Sequence, residues 1–526
     1  MNKIIVKSVD VKDKIIEGIN TINDPIRITM SPLGGDVIYE DNNGFSYSTN
    51  DGATIAKNIS VEDPIVDQTI KIIKSSSLKT NSEAGDGTSS TVLLSSLLTK
   101  GGLKLIELGY NPVKISKEFD KISSMIVKEA SKQVNKIKDD KDLYYIANVS
   151  SSNNDEIAKN IVETIKVVNE EGQVFINNGH STETRLEKEE GFVIRKGMFT
   201  NELTLVKGQV VANYKDVLTF ITDKRLYYDI DAEKILSTAK EAGYKSIVII
   251  ASDFMGEALP FLVEQHKRGL MNILLIKEER PELLEDIAIY LGGSVISDKS
   301  GALDNLDVEK HFVVTNKIFS KEDLTLISRY KESNPWLTKR VDVLKKQMKK
   351  IGDKDSLKYR ELESRVSSLT RGMVTINVGG RTPIEINEKM YRYEDALNAT
   401  RASLSSGYVM GGGISIYNAW QKVNKKGLDS IIVKLFDDYA EAIFKQISEN
   451  CGINPDVNLF KLKEAQLEGG ETWGYNVVKE RFSDLIEDGV IEPFKVLEQV
   501  VHNSVSIANI LIKSTYRIVN KLEDKK

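Results

Sequence analysis

Near its middle the chain runs "KSIVIIAS" from 245 to 252, then the helical pattern "GEALPFLVEQHKRG", then "MNILLIK" from 271 to 277. Two short β-branched runs around one amphipathic segment make a strand–helix–strand unit, and such units build an α/β layer. The flanks have another rhythm. Residues 87–132 and 406–526 repeat apolar side chains every three or four positions, as in "TVLLSSLLTKGGLKLIELG" and "PFKVLEQVVHNSVSIANILIKSTYRIV", the spacing of helices that bury one stripe. A chain that is helical at both ends and α/β in its centre needs one domain inserted into another, and 526 residues exceed what a single core holds. The expectation is a multidomain α/β protein. Between roughly 320 and 370, "LTKRVDVLKKQMKKIGDKDSLKYRELESRVSSLTRG" predicts a solvated helical hairpin turning at Gly352-Asp353, with no chemistry of its own.

Charge and composition narrow the function. The 72 basic and 77 acidic residues are well mixed, giving a net charge of −5 and no basic face for a phosphate backbone, so nucleic acid is not an expected partner. One cysteine, Cys451, and four scattered histidines build neither a disulfide framework nor a zinc site, which fits a reducing cytoplasm, bacterial or of a host cell. The opening "MNKIIVKSVDVKDKIIEGIN" breaks its apolar residues with charges and offers no signal-peptide core. No apolar run approaches the roughly 18 residues of a membrane span.

One stretch suggests chemistry. "TNSEAGDGTSSTVLLSSLLTKG", residues 80–101, sets Gly85-Asp86-Gly87 directly ahead of three hydroxyls and a helical pattern. Two readings stay open on these residues. Asp, Gly, Thr and Ser are ordinary turn and helix-cap residues. Equally, a helix start leaves N–H groups unpaired, glycines let a phosphate approach them, and a carboxylate beside that phosphate becomes useful when Mg²⁺ lies between them. The chain lacks G-x-x-x-x-G-K-[ST] and any G-x-G-x-x-G after a strand, so a nucleotide site here is of another kind. "ITMSPLGGDVIYED" and "GYVMGGGISIYNAW" read as glycine turns. "YEDALNATRASLSSG" predicts a helix starting near Glu394-Asp395 and ending at Gly407, which makes Asp395 a first-turn carboxylate on the local pattern.

Taken in this order, "ITMSPLGGDVIYED", "NDGATIAKNISVEDP", "AGDGTSSTVLLSSLLTKGGLKLIELGYNP", "YEDALNATRASLSSGYVMGGGISIY" and "WGYNVVKERFSDLIEDGVIEP", with "DFMGEALPFLVEQHKRG" and "LGGSVIS" in the centre, resemble the group I chaperonin family, the GroEL-type proteins. The resemblance covers the whole chain. It implies an α-helical equatorial ATP-binding domain from 1–132 and 406–526, an intermediate domain from 133–190 and 373–405, and an apical substrate-binding α/β domain from 191–372. It further implies a homo-oligomeric ring, commonly seven-membered, that binds non-native polypeptides and promotes their folding with Mg-ATP hydrolysis. The Lys-, Asn- and Ile-rich composition suggests an AT-rich genome such as a phage's or an endosymbiont's. A ring-forming holdase or scaffold with little folding activity is the main rival. A small-molecule kinase using the same loop is the third.

Residue by residue, the resemblance assigns nucleotide binding to Thr29, Met30, Ser31 and Pro32, to Asn50, and to Gly87, Thr88, Ser89 and Ser90. Gly412 falls beside the ribose, Asn476, Val477 and Val478 near the base, and Glu492 near the ribose hydroxyls. Asp86 would hold Mg²⁺, and K⁺ is a further cofactor the family admits. Asp51 and Asp395 would orient the attacking water, the main service a protein renders to phosphoryl transfer besides positioning and charge. Leu203, Leu236, Leu259 and Val263 match apical positions that offer apolar surface to unfolded chains, although a face packed on the sheet explains Leu259 and Val263 equally.

The chain also departs from the family. Ser31 replaces a glycine, Asn50 a lysine and Glu492 an aspartate, which bears on nucleotide affinity more than on the reaction. Glu202, Glu233 and Glu264 replace apolar groups, so co-chaperonin capture is in doubt. Lys445 and Asn454 replace an Arg/Glu pair at the contact between rings, and the C-terminus lacks Gly-Gly-Met repeats. Gly191 and Gly372 are hinge candidates.

Overall fold

The structure, a computed structural model, describes residues 3–40, 44, 46–168, 172, 174–179, 181–194, 196–203, 212–297, 303, 305–321, 324–330, 334–351, 356–370 and 372–520. It divides into two compact units: residues 1–163, 176–184 and 378–526 form the first, and 164–175 with 185–377 the second. The fold is the multidomain mixture of helix and sheet expected.

The first unit is built on helices from both ends of the chain. Helix Thr88–Glu107 buries Thr91, Val92, Leu93, Leu94, Ser95 and Leu98. Its core also takes Phe119 from Pro112–Ala130, Trp420 from Ile414–Lys422, Phe436 from Ser430–Asn450, and Val500, Val501 and Ala508 from Phe494–Lys513. Phe119 meets Phe436 edge-on at 5.4 Å. Each such side chain contributes about 1.5–3 kcal/mol on leaving water, so segments some 400 positions apart in sequence join in one core. Lys3–Lys7 pairs antiparallel with Tyr516–Asn520 and fastens the two ends together.

Two glycines set the corner that matters most. Helix Pro64–Ala84 starts on an Asp63 cap with proline at its first position and stops at Gly85, φ +82°. Gly87, φ +95°, then opens Thr88–Glu107. Both lie in the left-handed region that a side chain penalises by roughly 1–2 kcal/mol, and a Cβ on Gly85 would collide with Asn398.

One helix differs from expectation. The helix ending at Gly407 starts at Pro383, not near Glu394, so Asp395 sits in its middle rather than in a first turn. The true start is Thr382, whose hydroxyl accepts the Glu385 N–H, followed by proline at the first helical position. Residues 473–493, within a region expected to be mostly helical, instead form the short strands Trp473–Asn476, Arg481–Asp484 and Ile491–Pro493.

The second unit holds a six-stranded sheet in the order Phe192–Ile194, Thr325–Ser328, Phe312–Ser320, Ala212–Leu226, Ser246–Phe254, Asn272–Lys277. The last three strands run parallel. Along "SIVIIA", Ile247, Ile249 and Ala251 enter one core and Val248 and Ile250 the other. Burial on both faces explains why that strand is apolar at every position from Ile247 to Ala251. Helices Asp229–Glu241 and Ala258–Lys267 cover one face. Pro281–Leu291 and the hairpin Pro335–Ile351 with Leu357–Thr370 cover the other. The hairpin turn at Gly352-Asp353 lies outside the described residues. The hairpin is anchored electrostatically: fully buried Asp286 accepts from Arg365 Nε at 2.6 Å and Arg340 Nε at 2.7 Å. Gly372 pairs with Glu190, immediately before Gly191.

The apical residues expected at the surface are mostly inside. Leu203, Leu236 and Val263 are 0, 8 and 8% exposed in the sheet core, and half-buried Leu259 packs against it. The helix face spaced Leu259/Val263 covers the sheet, because a helix layered on a sheet buries its apolar stripe there. Glu202 and Glu264 are engaged with Lys267 and Arg268, respectively. Exposed apolar surface lies instead on Tyr227, Tyr228, Ile230 and Met255, at 48, 58, 55 and 38%, around the carboxyl ends of two parallel strands. Among the described residues no helix is long and apolar enough to cross a membrane.

Candidate functional site

The site forms in the first unit where three helices and a strand bring carboxylates to the start of Thr88–Glu107. The first backbone bond of that helix runs from Thr91 N–H to the Gly87 carbonyl at 2.9 Å, and among the described residues no side chain caps the Thr88, Ser89 and Ser90 N–H groups ahead of it. Among the described residues, the hydroxyl of Thr88, 4% exposed, has no hydrogen-bond partner. Ser89 Oγ lies against Gly52, where a Cβ would not fit, so the start of helix Gly52–Asn58 abuts the same corner.

Asp51 caps Gly52–Asn58. Its Oδ1 accepts the Ala53 N–H at 3.0 Å, and Oδ2 accepts the Thr54 N–H at 2.8 Å and the Thr54 hydroxyl at 2.6 Å. Asp86 accepts the Gly87 N–H at 2.5 Å. Its side chain reaches solvent, yet protein surrounds it closely enough that desolvation pushes its carboxyl up, the Gly87 bond pulls it down, and the Asp51 charge adds to the rise. Asp395 is half-buried and is pushed well above the usual range, first by burial and then by Asp51, Asp86 and Glu394, with Lys57 opposing. Burial and the Asp86 charge push Glu492 up to about 8. Glu492 stands opposite Val409 in a strand pair that leads into Gly411-Gly412-Gly413. Gly412, φ +65°, faces open space.

These shifts share two causes, desolvation first and then the mutual repulsion of acidic groups with little positive charge among them. Among the described residues no three His, Cys, Asp or Glu side chains converge as a metal cage. Mg²⁺ does not need one, since it takes one or two carboxylates and fills its shell with phosphate oxygens and water. The uncapped N–H groups, the Thr88 hydroxyl and the neighbouring carboxylates therefore fit a Mg-nucleotide, which brings anion and cation together.

The remaining predicted residues divide. Thr29 and Met30 are buried, and the Thr29 hydroxyl is used on the Ile26 carbonyl at 2.8 Å. Ser31 holds φ +87°, the conformation for which glycine is the natural occupant, and its Oγ lies 3.8 Å from Cys451 Sγ. Pro32 is exposed, and Asn50 half-buried beside Asp51. The Asn476 amide is committed to Asp488 at 2.9 Å and to the Val478 and Lys479 N–H groups at 3.1 Å. Val477 is buried, so of the three only Val478, 61% exposed, offers a side chain outward. Sequence reasoning missed Lys57 and Glu394, both of which act on Asp395. The Asp-Gly-Ala-Thr cap at 51–54 was the signal that places Lys57 in the last turn of that helix. Asn454, a family departure, caps Pro455–Gly469, and Lys445 pairs with Glu441 at 3.1 Å and Asp456 at 2.9 Å.

Comparison with known proteins bears on the fold. Two crystal structures of the chaperonin gp146 from the bacteriophage EL 2 (Pseudomonas aeruginosa), in the presence of ATP-BeFx, are similar in fold. Crystal form II gives a TM-score of 0.72 and crystal form I 0.68, each at 20% identity over 98% of this chain and 99% of that one. Residues 22–521 match the TCP-1/cpn60 chaperonin family. With that match spanning nearly the whole sequence, the chain belongs to the TCP-1/cpn60 chaperonin family, as a divergent member.

Proposed function

We propose that the protein is an ATP-dependent chaperonin subunit whose homo-oligomeric ring, of seven copies, binds non-native polypeptide and couples Mg-ATP hydrolysis to its folding. The observation that carries the reading is the start of Thr88–Glu107, where uncapped N–H groups and the partnerless Thr88 hydroxyl meet the Asp51, Asp86 and Asp395 carboxylates. In this reading the N–H groups and hydroxyls of Thr88, Ser89 and Ser90 bind the phosphates, Gly412 gives the ribose room, and Asp86 holds Mg²⁺. Bound there, Mg²⁺ would offset the charge on the phosphate oxygens. Asp395, half-buried and pushed above the usual carboxylate range first by burial and then by Asp51, Asp86 and Glu394, orients the attacking water and takes its proton at a carboxylate oxygen. Asp51 keeps a lone pair to orient that water, because its cap bonds leave part of its acceptor capacity unused. K⁺ is a second cation for the phosphates.

The three-domain division, with equatorial residues 1–132 and 406–526, intermediate 133–190 and 373–405, and apical 191–372, belongs to the same proposal, as do hinges at Gly191 and Gly372. Non-native chains would meet the exposed Tyr227, Tyr228, Ile230 and Met255. A second reading, a ring-forming holdase or scaffold with little folding activity, is favoured by the burial of Leu203, Leu236 and Val263. Refolding of a chemically denatured enzyme separates the two. Recovery of its activity that requires ATP, with or without an added co-chaperonin, supports the first; suppressed aggregation without recovery under either condition sinks it.

A further inference from the structure

Behind the phosphate corner, three helices are joined by one polar chain. Val496, Val500 and Asn503 follow one another at four- and three-residue intervals and so share a face of helix Phe494–Lys513. A Cβ on Gly87 would press on Val500, Val496 and the Thr80 methyl, so this face packs directly against the glycine that opens Thr88–Glu107. Asn503 extends the face with an amide: its Nδ2 donates to Thr80 Oγ1 at 2.8 Å, and Thr80 belongs to helix Pro64–Ala84. The Thr80 hydroxyl donates to the Ser76 carbonyl at 3.2 Å, which leaves its oxygen free to accept a second bond, from Thr91 Oγ1 at 3.1 Å. Thr80 and Thr91 are both 0% exposed, and the Thr91 N–H makes the backbone bond to Gly87 that starts the helix.

The core around this chain is largely aliphatic, with Leu94, Leu98 and Val501 among its members. A hydrogen bond there adds little net stability over apolar packing, but it is directional, so the chain closes in one register of the three helices only. We propose that Asn503 is a positioning residue for phosphoryl transfer: through Thr80 and Thr91 it fixes the first turn of Thr88–Glu107, and with it the direction of the N–H groups and hydroxyls at 88–90. The inference rests on the nucleotide reading and adds to it a residue that acts through others. A helix start released from this register still follows a bound phosphate, so affinity changes little. Transfer is less forgiving, because a misplacement of about 1 Å costs on the order of 100-fold in rate.

Steady-state Mg-ATP hydrolysis by the full-length protein tests it with Asn503→Leu, which keeps the bulk and loses the amide, with Thr80→Val, and with the two combined. The expected result is a kcat at least about tenfold lower in each single variant, with KM within about threefold of wild type. The double variant falls no further than the slower single one, because residues acting along one chain do not lose rate independently. Circular dichroism confirms folding, and Thr80→Val, which cuts the same chain at its middle, carries the test if Asn503→Leu does not fold. A wild type that turns over ATP while a folded single variant matches its kcat overturns this inference alone, as do a loss confined to KM and single losses that multiply in the double variant. A wild type without Mg-ATP hydrolysis overturns the nucleotide reading and this inference with it.

Discussion

Replacing Thr88 by valine separates the two things the start of Thr88–Glu107 does, because stability and nucleotide affinity then move in opposite directions. The side chain is 4% exposed and its hydroxyl has no partner among the described residues, so without nucleotide the fold bears an unsatisfied buried polar group. Such a group costs about 1–3 kcal/mol. Valine fills nearly the same space without the hydroxyl, so Thr88→Val stabilises the nucleotide-free protein by about 1 kcal/mol. For a unit of this size that is about 1–2 °C in melting midpoint. With nucleotide bound, the hydroxyl donates to a charged phosphate oxygen, a bond contributing about 1.5–3 kcal/mol, so the variant binds Mg-ATP at least about tenfold more weakly. The assays are thermal denaturation without nucleotide and calorimetric titration with Mg-ATP. At a fixed ATP concentration well above both dissociation constants, the nucleotide-induced stabilisation shrinks by about 1.4 kcal/mol. A lower midpoint together with unchanged ATP affinity would refute the reasoning and leave Thr88 as an ordinary helix-start residue.

Three further outcomes are expected. Asp51→Asn keeps a competent helix cap, so the midpoint stays within about 1 °C while hydrolysis falls at least about tenfold, measured by phosphate release; a large loss of stability with normal turnover contradicts the assigned role. Glu492, pushed up to about 8, binds its proton more tightly folded than unfolded, so stability is undiminished below the ordinary pKa of about 4.3 and falls as pH rises toward 8. Glu492→Gln stays neutral, so its melting midpoint should match wild type near pH 5 and exceed it near pH 8.5, and a gap that does not widen with pH rules out the shift. Serine at both Tyr228 and Ile230, 58 and 55% exposed, should impair suppression of a client's aggregation and leave ATP turnover unchanged; undiminished suppression would show that clients bind elsewhere.

Local chemistry made much of this fold legible. Periodicity gave the long helices that frame the nucleotide corner, and the doubly buried strand segment at 247–251 was visible as an unbroken apolar run. The end of the 383–406 helix was written in Gly407, but its start was not recognised at Thr382-Pro383, and that cost Asp395 its correct place in mid-helix. The short strands at 473–493 were illegible because their pairing is non-local and their apolar pattern is brief. Burial of Leu203 and Val263 was undecidable from spacing, since one apolar stripe serves a core or an exposed groove equally. Individual carboxylates could be named from the sequence. Their mutual electrostatic influence, and the Lys57 charge that tempers it, depend on how the chain folds back.

Steady-state ATP hydrolysis by the full-length protein, with and without Mg²⁺, compared with Asp395→Ala, tests the central claim most directly. The account predicts Mg²⁺-dependent hydrolysis in the wild type and a variant that still binds Mg-ATP but turns over about 10²–10⁴-fold more slowly, the usual contribution of a positioned proton acceptor. A wild type that hydrolyses no ATP, or a variant that matches its rate, would contradict it.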